Sequence, residues 1–154
     1  DIATLRTGGK VDDYFIIHLM KPARMPEVKI TLKASYLMCE NEPRFVLHGT
    51  EGSYVKYGLD PQEADLTKGM LPDTPHWGEE DESQWGILHT ETDGNVVRKP
   101  YPTLPGNYAA FYENIYQHIR NGAVLQSDAC GVLGVIRLIE AAWESSRTGN
   151  VIKL

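Results

Sequence analysis

Two hydrophobic periods in this chain limit the folds open to it. In the first two thirds most apolar residues alternate or come in short runs; from Tyr108 to Trp143 they recur every three or four positions. The segment Val28-Lys-Ile-Thr-Leu-Lys-Ala-Ser-Tyr36 alternates strictly. As a strand it carries Val28, Ile30, Leu32, Ala34 and Tyr36 on an apolar face and Lys29, Thr31, Lys33 and Ser35 on a polar one. Tyr14 to Met20 is a continuous apolar run of strand length, the pattern of a central strand covered on both sides. Pro22 and Pro26 lie between the two and predict a turn joining an antiparallel pair.

The next segment, Arg44 to Glu63, reads as a hairpin running into a helix. Phe45 to His48 and Tyr54 to Tyr57 flank the turn residues Gly49-Thr-Glu-Gly52, and Asp60-Pro61 supplies a cap and a first helical position for a short helix to about Lys68. Asp93-Gly94, between Trp85 to Thr90 and Val96 to Lys99, predicts a second hairpin. Beyond it, Tyr108, Phe111, Tyr112, Ile115 and Ile119 make one helical stripe, stopped by Gly122. Ser127-Asp128 caps a second helix whose stripe is Val132, Leu133, Ile136, Ile139 and Trp143, closed by Gly149. Val151 to Leu154 has the composition of a last short strand. Strands first and helices last describe an α+β fold, an open, largely antiparallel β-sheet with helices packed on one face.

With 154 residues the chain is one domain's worth, and 42% apolar and 23% charged residues are ordinary for a water-soluble protein. A net charge of −6, with Lys and Arg scattered singly, argues against nucleic acid or an anionic membrane as partner. No apolar run reaches the roughly 20 residues of a membrane span. Two cysteines, Cys39 and Cys130, are too few for a disulfide framework and are expected to be reduced thiols in a cytoplasmic protein.

Three phrases carry a family resemblance: Gly8-Gly-Lys-Val-Asp-Asp-Tyr-Phe15, the hairpin phrase Arg44 to Glu63, and Leu104-Pro-Gly-Asn-Tyr-Ala-Ala-Phe-Tyr112. Together with the order of elements they resemble the C-terminal domain of the glucose-fructose oxidoreductase, inositol dehydrogenase and MocA family of NAD(P)-dependent sugar dehydrogenases, over nearly the whole chain. The resemblance implies that residues 1–154 are the substrate and oligomerisation domain of a longer enzyme acting on a sugar, polyol or related carbonyl compound. NAD or NADP would be bound by an N-terminal Rossmann domain outside this chain, and the reactive lysine and histidine of the family would also lie outside it. The chain alone is then expected to be inactive, with no catalytic, cofactor-binding or metal-binding residue of its own. By the same resemblance the turn after the alternating strand, Cys39, Glu40 and Asn41 with Arg44, and the entry to the first long helix, Asn107 and Tyr108, would form the substrate wall. A homo-oligomer, dimer or tetramer, through the sheet face is implied as well.

The residues themselves give little independent chemistry. No glycine-rich turn joins a strand to a helix as dinucleotide binding requires. Lys21-Pro22 and Lys99-Pro100 lack a preceding acid and read as turns. His18 and His48 sit on strands as ordinary hydrogen-bonded side chains, and His76, beside Trp77 in a polar loop, has no second His or Cys at metal-ligand spacing. Glu79 to Glu82 reads as a solvated acidic loop, without the pattern of a calcium site. Cys39 stands among carboxylates, whose charge opposes the thiolate a nucleophile needs. The competing reading is a non-catalytic binding or scaffolding module that uses the open sheet face.

Overall fold

The computed structural model describes residues 1–6, 9–20 and 27–154. Its elements in chain order are β1 (Ile2–Ala3), β2 (Tyr14–Met20), β3 (Lys29–Ser35), β4 (Phe45–His48), β5 (Gly52–Lys56), α1 (Gln62–Thr67), a single 3-10 turn (Glu82–Gln84), β6 (Gly86–Thr92), β7 (Asn95–Tyr101), α2 (Ala109–Asn121) and α3 (Ala129–Thr148). They divide into two compact units, Asp1–Cys39 with Ser127–Leu154, and Glu40–Gln126.

In the first unit the antiparallel order is β1-β2-β3, so the continuous apolar run of β2 is central as its pattern demands. The register sets Phe15, Ile17 and Leu19 opposite Ala34, Leu32 and Ile30, and on the other face sets Ile16 and His18 opposite Lys33 and Thr31. The alternation of β3 is therefore real, and His18 Nδ1 bonds Thr31 Oγ1 at 3.0 Å across it. Being an edge strand, β3 leaves part of its apolar face open, with Leu32 44% exposed. Asp13 holds the turn before β2: its carboxylate accepts the N–H groups of Leu5 at 2.7 Å and Arg6 at 3.0 Å. Helix α3 starts on Asp128, whose carboxylate accepts Gly131 N–H at 2.8 Å, and ends on left-handed Gly149. Ser146 ties this helix to β1, its Oγ accepting Ile2 N–H at 3.1 Å. The expected strand at Val151 to Leu154 is irregular chain, because its backbone enters no ladder. The turn expected at Pro22 to Pro26 lies outside the described residues.

The second unit is a meander, β4-β5-β6-β7, antiparallel throughout. Asp93 and Gly94 both have positive φ, 52° and 74°, the two left-handed positions of the hairpin turn that Asp-Gly predicts. Lys99-Pro100 is not a turn but part of β7, opposite Leu88 and Ile87; an edge strand tolerates a proline because one row of its N–H groups needs no partner. Helix α2 closes on left-handed Gly122.

Both long helices keep their apolar stripes half open: Phe111 is 52% exposed on α2, and Ile136 and Trp143 are 47% and 60% exposed on α3. Among the described residues no apolar side chain is fully buried, and the most enclosed side chain is that of Gln62, 1% exposed.

Candidate functional site

The sequence-predicted wall falls into two groups. Cys39 ends the first unit as an exposed free thiol, after a turn in which Ser35 Oγ accepts Leu37 N–H at 3.1 Å. Glu40, Asn41 and Arg44 open the second unit and are exposed as well. Asn107 and Tyr108 stand at the head of α2. Asn107 already has a structural task there, since its Oδ1 accepts Ala110 N–H at 3.1 Å and caps the helix. Tyr108 is 43% exposed, and its backbone N–H is held from below.

What holds it is a junction that pattern reading missed. Gln62 Oε1 accepts two bonds, from Trp77 Nε1 at 3.0 Å and from Tyr108 N–H at 2.8 Å. Its Nε2 donates to Asp60 Oδ1 at 3.0 Å, and the same carboxylate oxygen accepts Gln62 N–H at 3.0 Å, the capping role expected of Asp60. One enclosed carboxamide thus joins the start of α1, the loop at 74–79 and the head of α2. Backbone packing closes the junction: Gly106 N–H donates to Gly78 O at 3.1 Å, and a Cβ on Gly106 would overlap Gln62 Nε2 and come within 2.6 Å of Asp60 Oδ2. The only signal in the sequence was Asp60-Pro-Gln-Glu63 itself, which explains the helix start and says nothing about a bond 46 positions away.

The acidic loop also departs from expectation. Glu80 is not solvated: both carboxylate oxygens accept from Lys56 Nζ, at 2.8 and 2.7 Å, and the two side chains are 2% and 8% exposed. Lys56 Nζ also donates to Gln84 O at 2.9 Å. Asp81 caps the following 3-10 turn, and its bonds from the Ser83 hydroxyl and N–H lower its pKa. The histidines bond as ordinary side chains, His48 Nδ1 to Ser53 Oγ at 2.9 Å and His118 Nδ1 to Ala123 O at 2.6 Å. His76 is the exception in its backbone, with φ 64°, and its exposed ring meets Glu79 Oε2 at 2.9 Å.

Two open depressions, of about 750 and 400 Å³, lie elsewhere, the first around Ser53, His89 and Glu91 and the second around Arg6, Lys10 and Tyr36; neither is lined by any of the six predicted wall residues. Among the described residues no group of three or more His, Cys, Asp or Glu could hold a metal ion, and no helix is long and apolar enough to cross a membrane. A pyrophosphate needs free N–H groups at a helix N-terminus. At α3 the Asp128 carboxylate takes one of these donors, Gly131 N–H, and at the head of α2 Gln62 and Asn107 take two, Tyr108 N–H and Ala110 N–H.

The sequence matches the model of the "Oxidoreductase family, C-terminal alpha/beta domain" over residues 3–154. The chain belongs to the Gfo/Idh/MocA oxidoreductase family. It is similar to scyllo-inositol 2-dehydrogenase (NADP(+)) IolW of Bacillus subtilis, 32% identical over all of this chain and 42% of that protein. The uncharacterized oxidoreductase YdgJ of Escherichia coli is 34% identical over 96% of this chain and 41% of its own length. A crystal structure of a Bacteroides fragilis protein assigned to the oxidoreductases superimposes with a TM-score of 0.94 and 58% identity, over 100% of this chain and 46% of that one. The Gfo/Idh/MocA C-terminal domain therefore spans less than half the length of these relatives, and the α+β fold expected from the sequence is the fold found.

Proposed function

We propose that this chain is the substrate-side and oligomerisation domain of an NAD(P)-dependent oxidoreductase that acts on a sugar, polyol or related carbonyl compound. The observation that carries the reading is the family match along residues 3–154, which accounts for only the C-terminal part of proteins such as an NADP-dependent inositol dehydrogenase. The half-open apolar stripes of α2 and α3 support it, since such stripes are favourable only when another surface covers them. The capped helix N-termini support a dinucleotide site in another part of the parent. When bound there, the nicotinamide supplies the hydride chemistry. The residues of this chain bind and orient, with Cys39, Glu40, Asn41, Arg44, Asn107 and Tyr108 offering hydrogen bonds to hydroxyl groups. The parent is cytoplasmic and assembles as a dimer or tetramer through a sheet face.

The test is turnover by the full-length parent, followed by nicotinamide absorbance with NAD and NADP against a panel of polyols that begins with scyllo-inositol. Reduction of either cofactor by a polyol is the expected result, with the isolated chain inactive and its melting temperature unmoved by NAD or NADP. A parent that turns over no member of the panel refutes the reading. So does a clear melting shift of the isolated chain with dinucleotide, for the placement of the cofactor.

A further inference from the structure

We propose that Gln62 is the positioning residue of the ligand-facing edge at the head of α2, setting Tyr108 and the 74–79 loop against a hydroxylated ligand; this rests on the reading above that Asn107 and Tyr108 face substrate. The carboxamide admits one orientation. With Nε2 on Asp60 Oδ1, Oε1 must face the indole N–H of Trp77 and the backbone N–H of Tyr108; turned over, it would set an NH₂ group against two donors and an oxygen against a carboxylate. At 1% exposure the amide has no water to substitute for these bonds. The backbone of Tyr108 is therefore held at one point, which fixes the direction in which its half-exposed ring leaves the helix head. The same oxygen anchors Trp77, the neighbour of His76. The left-handed backbone of His76 and its contact with Glu79 are thus locked to the same point as Tyr108. Two loops bearing exposed hydrogen-bonding side chains share one buried anchor. An anchor needed for stability alone would not have to join both.

The test uses the full-length parent and the polyol it turns over. Gln62→Met keeps the length of the side chain and removes all three of its hydrogen bonds. The expected result is a substrate KM raised about tenfold or more, since small misplacements of binding groups cost that much or more, with the KM for NAD or NADP unchanged. A merely structural role lowers the active fraction and Vmax and leaves both KM values alone; that outcome overturns the proposal. Should Gln62→Met not accumulate as folded protein, Gln62→Asn carries the test. It keeps an amide but withdraws the acceptor from Trp77 and Tyr108 by the length of one methylene, and an unchanged substrate KM again overturns the proposal. Tyr108→Ala separates the two levels. If it raises substrate KM and the Gln62 variants do not, only the positioning role fails. If Tyr108→Ala has no effect, or no polyol is turned over, the reading of this edge fails and takes the proposal with it.

Discussion

Replacing Lys56 by Met is the substitution in this chain with the most determinate energetic consequence. Lys56 and Glu80 are 8% and 2% exposed, the contact is bidentate at 2.8 and 2.7 Å, and the ammonium has a third acceptor in Gln84 O at 2.9 Å. An exposed pair of the same residues would be worth about 0–1 kcal/mol. Here Lys56→Met leaves a carboxylate enclosed with no cation, and removing one member of a buried pair costs about 3–5 kcal/mol. That is a large share of the roughly 5–15 kcal/mol stability of a typical domain. At about 2–4 °C per kcal/mol for a chain of this size, the melting temperature should fall by roughly 6–20 °C. Replacing both partners, Lys56→Met with Glu80→Leu, should recover most of the loss, because a matched apolar pair removes the stranded charge as well. Urea unfolding followed by circular dichroism measures both variants against the unsubstituted chain. A single-variant loss below about 1 kcal/mol, the exposed-pair value, or a double variant as unstable as the single, would refute the reasoning.

Substitutions at three further sites probe local devices. The bonds from Leu5 N–H and Arg6 N–H hold the Asp13 carboxyl below its ordinary pKa, so this group adds stability above about pH 4 that is lost as pH falls through its folded value. Asp13→Asn should flatten the acid limb of a melting-temperature profile, and an unchanged acid limb counts against the assignment. Gly94→Ala puts a Cβ on a backbone with φ 74° and should cost about 1–2 kcal/mol, read from the urea midpoint; a neutral result would mean that the turn relaxes. Asp128→Ala removes the acceptor of Gly131 N–H and should cost about 1 kcal/mol with a loss of helical signal, while Asp128→Asn should retain most of the cap.

The sequence made the local devices legible and left the long-range polar ones hidden, for a physical reason. Asp93-Gly94, Ser127-Asp128, Gly122 and Gly149 each solve a problem of a few backbone dihedrals, so the residue type reveals the conformation. The antiparallel pairing of β2 and β3 was equally visible, because alternation reports a face. Lys56 with Glu80, 24 positions apart, and Gln62 with Tyr108, 46 apart, leave no periodic trace; a polar residue reads as solvated until its partner is known. The candidate wall shows both limits. Asn107 acts within three residues of itself, on Ala110 N–H, whereas the amide that fixes its neighbour acts across 46 positions and left no trace in the sequence. Cys39, Glu40, Asn41 and Arg44 came from family resemblance alone, and their exposed side chains add no geometry of their own.

Burial in this chain is inverted with respect to an ordinary domain. Among the described residues the enclosed side chains are polar, Gln62, Glu80, Lys56 and Asp13, while the apolar stripes of the long helices remain about half exposed. Polar junctions of this kind fix geometry at little net gain, because each bond replaces one to water. Apolar area stabilises at about 25 cal/mol per Å² only once it is covered. In the proposed parent the two roles separate: the internal bonds define the shape of the substrate edge, and the helix stripes supply their stabilisation where other surfaces meet them. The full-length protein should therefore unfold at a higher urea midpoint than the isolated chain. The excess should shrink when Ile136 or Trp143 on α3 is replaced by a polar residue, although the same substitution in the isolated chain changes little. A substitution as costly in the isolated chain as in the parent would mean that the stripe is already covered within the 154 residues, and that the open faces have no partner to serve.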